Sequence, residues 1–296
     1  MRKFAFAIFA VVILLLASCN EKGRQNGAQG EVEVSLDSLG NVKGDTIVYA
    51  DSFVGKFFKF RYALLFEMPV GSDDIHDSIV KWVADEYDPE HLYKGDRTKL
   101  DSLFLVRAEH MKKEVKDTDD EFSSDGSENP GFGDGIDSTS VVKIWENREF
   151  VTYGYSCDYF FPGAAHGSYV FYAATFNKHD GSRVKTEDMF TDNAKLLSYI
   201  KRGLMEYFEA RSIEELYDNL QLSDTKDVPL PQHGLWIEEG KVVFQYQQYE
   251  IACYAAGLPG GSIDLKLISP DMVTPWFKDN FCPWLNDASS ANKIPN

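Results

Sequence analysis

Segments with a two-residue apolar period and segments with a helical period follow one another in blocks along this chain. A doubly wound parallel sheet needs strict alternation of strand and helix, so the block order excludes it. It predicts an α+β fold of antiparallel sheets with helices packed on one face. The first strand-like block is clear. Phe58, Phe60, Tyr62, Leu64 and Phe66 share one face, while Lys59 and Arg61 point the other way. Pro69 and Gly71 end it. Ser72 or Asp73 then caps a helix with Ile75, Ile79, Trp82 and Val83 at i, i+4, i+7 and i+8. A second helix carries Leu100, Leu103, Phe104, Met111 and Val115.

The second block covers residues 140–177, which read as strands. Val151, Tyr153, Tyr155 and Cys157 alternate, Pro162-Gly163 makes a turn, and an apolar run spans Tyr169 to Phe176. Asp192 or Asn193 opens an amphipathic helix with Leu196, Leu197, Ile200, Leu204, Tyr207 and Phe208 on one side. Ile213 to Leu220 gives a second short helix. Gly234 to Tyr249 reads as a hairpin with its turn at Glu238-Glu239-Gly240. Residues 262–268 read as a last strand and 270–278 as a terminal helix. No period of 20–50 residues repeats.

Between the blocks lies an acidic run. Asp117 to Asp137 holds eight acidic residues and no basic one, with four glycines and Pro130. This is the composition of a loop or interdomain linker. Asp134-Gly135-Ile136-Asp137 hints at a calcium loop, but the EF-hand order D-x-[DN]-x-[DN]-G is absent. The predicted organisation is two consecutive α+β units. Residues 47–116 form a small N-terminal domain, 117–139 a linker or loop, 140–280 a C-terminal domain and 281–296 a tail.

The N-terminus reads as an address. Arg2 and Lys3 precede an almost wholly apolar run from Phe4 to Leu16. As a helix this run reaches only about 20 Å, short of the ~30 Å hydrocarbon core, so it is a signal-peptide core and not a membrane span. Its ending, Leu16-Ala17-Ser18-Cys19, resembles the bacterial lipobox. That resemblance implies cleavage after residue 18, lipid on the Cys19 thiol, and residues 19–46 as a flexible tether. The membrane is then a partner through Cys19. The protein is expected in the bacterial cell envelope, extracytoplasmic, at the periplasmic face or the cell surface. No later stretch has eighteen consecutive apolar residues.

Thirty basic residues against forty-seven acidic ones leave a net charge of −17. This excludes a nucleic-acid partner, which needs a basic footprint, and favours long-range attraction to a basic protein. Past Cys19 three cysteines remain. Two readings stay open: a disulfide between Cys157 and Cys253, both in strand-like motif segments, or three buried small thiols.

The common catalytic signatures, G-x-S-x-G, H-E-x-x-H, the P-loop and the dinucleotide fingerprint, are absent. No two of the six histidines stand at i, i+3 or i+4, so no helical pair of metal ligands exists. No cofactor is indicated. Two segments stand out. In Tyr159-Phe160-Phe161-Pro162-Gly163-Ala164-Ala165-His166-Gly167-Ser168-Tyr169, small residues surround one imidazole. His166 either works in a cleft as acid, base or contact residue, or pins the loop through backbone bonds. In Phe244-Gln245-Tyr246-Gln247-Gln248-Tyr249-Glu250-Ile251-Ala252-Cys253-Tyr254-Ala255-Ala256-Gly257, Glu250 sits among apolar and aromatic residues. Burying it unpaired is costly, so it pairs with His166 or accepts hydrogen bonds from loop amides. Tyr249 and Tyr254 read as packing residues with a hydroxyl handle.

These two segments resemble the motifs Y-x-G-G-A-H-G and F-x-x-Y-E-I-A-x-Y-A-x-G of the RsiV/PdaC-type extracytoplasmic domain of unknown function. The similarity spans residues 150–278. Gly163-Ala164 stands for the Gly-Gly, and Cys253 stands where proline is common. The domain forms the outer part of an anti-sigma factor that acts as a lysozyme receptor, and it precedes the catalytic domain of a peptidoglycan deacetylase. The resemblance implies a binding module for a basic hydrolase such as lysozyme, or for peptidoglycan, with Gly163, His166, Gly167, Tyr249 and Glu250 at its site. It implies no known activity. One alternative is an envelope glycan-processing enzyme using His166 and a carboxylate, Glu250 or Asp158, as acid and base. The other is a structural subunit of a surface assembly.

Overall fold

The computed structural model describes residues 46–69, 73–124, 134–222 and 227–286. The expected signal peptide with Cys19, nearly all of the expected tether, Ser72, the middle of the acidic run and the end of the expected tail lie outside the described residues. In chain order the elements are β1 (Thr46–Val54), β2 (Lys59–Glu67), α1 (Asp73–Tyr87), α2 (Leu100–Ser124), β3 (Gly135–Glu146), β4 (Phe150–Phe160), β5 (Ser168–Asn177), α3 (Thr186–Met189), α4 (Asn193–Phe208), α5 (Ile213–Asn219), β6 (Leu235–Glu238), β7 (Lys241–Gln245), β8 (Gly260–Asp264) and α6 (Pro275–Phe281). One sheet has the order β1-β2-β3-β4-β5 and a second the order β6-β7-β8. The class is α+β, as the block pattern predicts.

The sheets are mostly antiparallel; in the larger one β2 and β3 pair in parallel, with Tyr62 opposite Asp137. The crossover between them holds α1 and α2, and such a connection returns the chain in the same direction. The described residues fall into two compact units, each drawn from several stretches of the chain. One collects the described residues up to 69, 80–142 and 156–169. The other collects 73–79, 143–155 and those from 170 onward. Helix α1 and strands β3, β4 and β5 each contribute to both units.

In the first unit the alternation of β2 buries Phe60, Tyr62, Leu64 and Phe66. Helix α2 packs on β1 and β2 with Leu103, Phe104, Met111 and Val115 buried. Tyr49 and Phe104 stack at 5.3 Å. The described ends of the acidic run belong to regular elements. Its start continues α2 to Ser124 and its end opens β3. Two of its acids are buried because they have structural partners. Asp119 accepts N–H bonds from Lys56 at 2.8 Å, Phe57 at 2.7 Å and Phe58 at 3.1 Å, which fixes the turn between β1 and β2. Asp137 lies 3.9 Å from Arg107. Burial raises the pKa of its carboxyl, and Arg107 only partly offsets this.

In the second unit α4 lies on β8. Its stripe of Leu196, Ile200 and Leu204 joins Val242, Phe244, Ile263 and Phe277 in one core. Asp192 is the N-cap of α4 and accepts from the Lys195 amide. The β6–β7 turn places Glu239 and Gly240 at φ 47° and 73°, the pair of positive values that a two-residue hairpin loop requires. The last strand is shorter than the alternation suggests: β8 gives way to a 3-10 turn at Leu265–Leu267. The terminal helix starts later than expected, at Pro275, with Thr274 as its N-cap.

Strand β6 is held along its outer edge by two buried threonines. Ile237 donates its N–H to Thr175 Oγ1 at 2.9 Å, and Ile237 O accepts from Thr152 Oγ1 at 2.6 Å. Thr152 has one hydroxyl proton, and Ile237 O takes it. The 2.9 Å contact between the two hydroxyls therefore takes its proton from Thr175. No helix among the described residues is long and apolar enough to cross a membrane.

Candidate functional site

The β4–β5 loop carries His166. Gly163 stands at φ 87°, a conformation that favours glycine. A Cβ on Gly167 would lie 3.0 Å from the Tyr159 carbonyl oxygen, so the loop closes on its own strand. Ala164 donates its N–H to Phe161 O at 3.0 Å. His166 is exposed, and its Nδ1 lies 2.9 Å from Gly167 O. A carbonyl only accepts, so Nδ1 carries the proton. His166 thus makes a local bond to the backbone of its own loop. Asp158, on β4, has its carboxyl pKa raised by burial.

The second segment follows β7. Tyr246 is buried, and its Oη donates to Pro229 O at 2.6 Å. The Gln247 carboxamide makes a matched pair of bonds with Phe171 on β5. Its Oε1 accepts the Phe171 N–H at 3.1 Å, and its Nε2 donates to Phe171 O at 2.9 Å. β5 is the last strand of its sheet, so this amide substitutes for a neighbouring strand. Glu250 then donates its N–H to Gln247 O at 3.1 Å, closing a turn.

Within that turn Tyr249 sits at φ 66°. Gly or Asn normally holds such a position, and for tyrosine it costs roughly 1–2 kcal/mol. Burial of the ring does not repay this, because Tyr249 is 61% exposed. The Glu250 carboxylate holds the turn. Oε2 accepts the Gln247 N–H and Oε1 the Gln232 N–H, both at 2.7 Å. Burial raises its pKa first of all, and these two amides pull it back. The Tyr254 ring lies 6.0 Å from Tyr249, tilted by 33°. Tyr207 on α4 donates its hydroxyl to Ala256 O at 2.6 Å and fixes the end of the segment.

Glu250 also ties this turn to the loop preceding β6. There His233 stacks on Tyr172 at 3.7 Å and 9°, and Tyr172 stacks on Tyr155 at 5.1 Å and 13°. Sequence reasoning missed Gln247, Gln232 and His233. The run Gln245 to Gln248 shows an excess of carboxamides, but only the register of β5 reveals what Gln247 binds.

Both oxygens of Glu250 are taken by backbone amides of the second unit. Among the described residues no group of three His, Cys, Asp or Glu side chains is placed to hold a metal ion. A shallow depression lined by Thr186, Glu187, Phe190, Thr191, Asn193 and Leu230 includes none of the motif residues.

Cys157, Cys253 and Cys282 are free thiols. Cys157 turns to Asp137, its Sγ 3.8 Å from Oδ1, while Cys253 is exposed just before the Tyr254–Ala256 turn. Burial pushes Cys157 and Cys282 each up to about 12. In the soluble form, residues 20–296, a maleimide at neutral pH is expected to modify Cys253 alone, with the other two reacting only on denaturation. Mass spectrometry of the labelled peptides checks this.

Residues 187–266 match the family model described as "Protein of unknown function (DUF3298)". That stretch includes α4, α5 and β6 to β8 and the Tyr249 turn; the His166 loop lies outside it. Two solved structures share the fold. A member of the DUF3298 family from Bacteroides fragilis is 18% identical, covers 82% of this chain and 98% of its own, and gives a TM-score of 0.60. A DUF3298 family protein from Pseudomonas aeruginosa is 15% identical, covers 78% of this chain and 95% of its own, and gives 0.50. No curated protein matches this sequence.

Proposed function

We propose that this chain is a lipid-anchored, extracytoplasmic binding module of the bacterial cell envelope, and that the Tyr249 turn forms its contact surface. One observation carries the reading. A tyrosine is displayed to solvent on a strained turn, and the neighbouring carboxylate spends both oxygens on fixing that turn. A carboxylate saturated by backbone amides is a poor proton carrier but a good anchor. A rigid aromatic side chain loses little conformational freedom on binding, which suits recognition. Strain of this kind persists where it serves function. The lipobox ending at Cys19 and the resemblance of the two motif segments support the envelope setting. The same resemblance makes the partner a lysozyme-like hydrolase or peptidoglycan.

The soluble form, residues 20–296, mixed with immobilised lysozyme and with fragmented peptidoglycan, is expected to be retained saturably on one of the two. Retention should weaken but survive at high salt. Absence of saturable retention on both would overturn the proposal.

A further inference from the structure

The binding surface itself speaks to the class of ligand. In a chain of net charge −17, residues 244–257 hold a single charged side chain, Glu250. Its carboxylate is consumed by the Gln247 and Gln232 amides. What the segment offers a ligand is neutral. It consists of the exposed Tyr249 ring, the Tyr254 ring 6.0 Å away, and the partly exposed Gln245 carboxamide. A surface made to attract a basic protein would carry unspent carboxylates at this place, since complementary charge sets association rate and partner choice. Two neighbouring rings with few charges suit the opposite case. A pyranose is apolar on its C–H faces, which lie flat on an aromatic ring, and polar at its rim, where amides and phenol hydroxyls bond to it. Two tilted rings on one fixed turn offer stacking positions for neighbouring sugar units of a chain.

We infer that the Tyr249–Tyr254 pair is a stacking platform for an uncharged saccharide chain. This rests on the reading of the chain as a binding module and goes further by naming what the tyrosine turn binds. Glu250 and Gln247 are positioning residues: the first holds the strained backbone under Tyr249, and the second fixes the turn to Phe171.

The test titrates the soluble form, residues 20–296, with chitotetraose, with cellotetraose and, separately, with lysozyme, using calorimetry. Binding of at least one tetrasaccharide is expected. Tyr249→Gly provides the decisive variant because glycine tolerates the positive φ, so the turn and the fold should survive. It should weaken saccharide binding by about tenfold or more, Tyr254→Ala should weaken it likewise, and Tyr249→Phe, which keeps the ring, should stay close to the parent. Equal saccharide binding by the parent and Tyr249→Gly would overturn the platform. If lysozyme binds and neither tetrasaccharide does, the saccharide inference fails while the binding module stands. If Tyr249→Gly loses lysozyme as well, the turn is a protein-docking surface. If none of the three probes binds and peptidoglycan does not retain the protein, both proposals fall together.

Discussion

Replacing Asp119 with alanine should lower the stability of the protein by about 3–4 kcal/mol, because each buried amide left without an acceptor costs about 1–3 kcal/mol. Three amides depend on this carboxylate. Oδ1 serves Phe57 and Phe58, and Oδ2 serves Lys56. Asp119 is 5% exposed and Phe58 2% exposed, so water cannot replace the lost bonds at Phe58 and replaces them only partly at the other two. Asparagine in its place keeps one oxygen for Phe57 and Phe58 but turns an amino group toward the Lys56 N–H. Its loss should be roughly half as large. A second variant isolates the contact. A Cβ on Gly55 would stand 2.6 Å from the Asp119 carboxyl carbon, so Gly55→Ala should be harmful in the parent and nearly harmless beside Asp119→Ala. Urea unfolding midpoints measure all four proteins. An unchanged midpoint for Asp119→Ala would show that the β1–β2 turn does not need this anchor.

Asp119 also marks where sequence reasoning stops. Its neighbours Asp117, Asp120 and Glu121 are solvated, as a charge run suggests, and nothing in composition singles out the one acid that faces inward. The helical phase does. Asp119 falls four residues after Val115, on the buried stripe of α2 that runs through Leu100, Leu103, Phe104, Ala108 and Met111. Tracing this stripe to its end would have carried the helix into the acidic run. Where an apolar period was long it was readable: β2, α1, α4 and the β6–β7 hairpin stand close to their predicted places. β1 escaped detection because its burial is even along the strand, with no buried face to set a period. The parallel pairing of β2 with β3 is decided by tertiary contacts that leave no local mark. At the site, sequence reasoning read Tyr249 as a packing residue, whereas its ring is 61% exposed, and it read Glu250 as a partner of His166 or of loop amides. It could not tell that Glu250 is bonded to amides alone, since that depends on the approach of Gln232 from a distant loop. The positive φ of Tyr249 is equally silent in the sequence, because tyrosine is not a residue that announces a turn.

Glu250→Ala should cost about 2–4 kcal/mol, as two backbone amides lose their acceptor and the turn beneath Tyr249 loses its brace. Glu250→Gln keeps one acceptor and sets an amino group against the other amide, so it should lie between alanine and the parent. The pH dependence has a definite sign. Burial raises the folded pKa of Glu250 above its ordinary value. Folding therefore favours the protonated form, and this contribution is present below the ordinary carboxylate value and is lost as pH rises through the raised one. The glutamine variant has no such titration. Its deficit relative to the parent should therefore be largest at acidic pH and shrink toward neutrality. The difference between two urea midpoints, taken at several pH values, reads this directly and cancels the other carboxylates. A deficit that instead grows from acid to neutral pH would mean that the two amide bonds outweigh burial and hold Glu250 ionised in the fold. The same pair of proteins separates bracing from contact. If Glu250 acts through Tyr249, then Glu250→Gln weakens ligand binding only to the extent that it loosens the turn, and adding Glu250→Gln to Tyr249→Gly removes no further affinity.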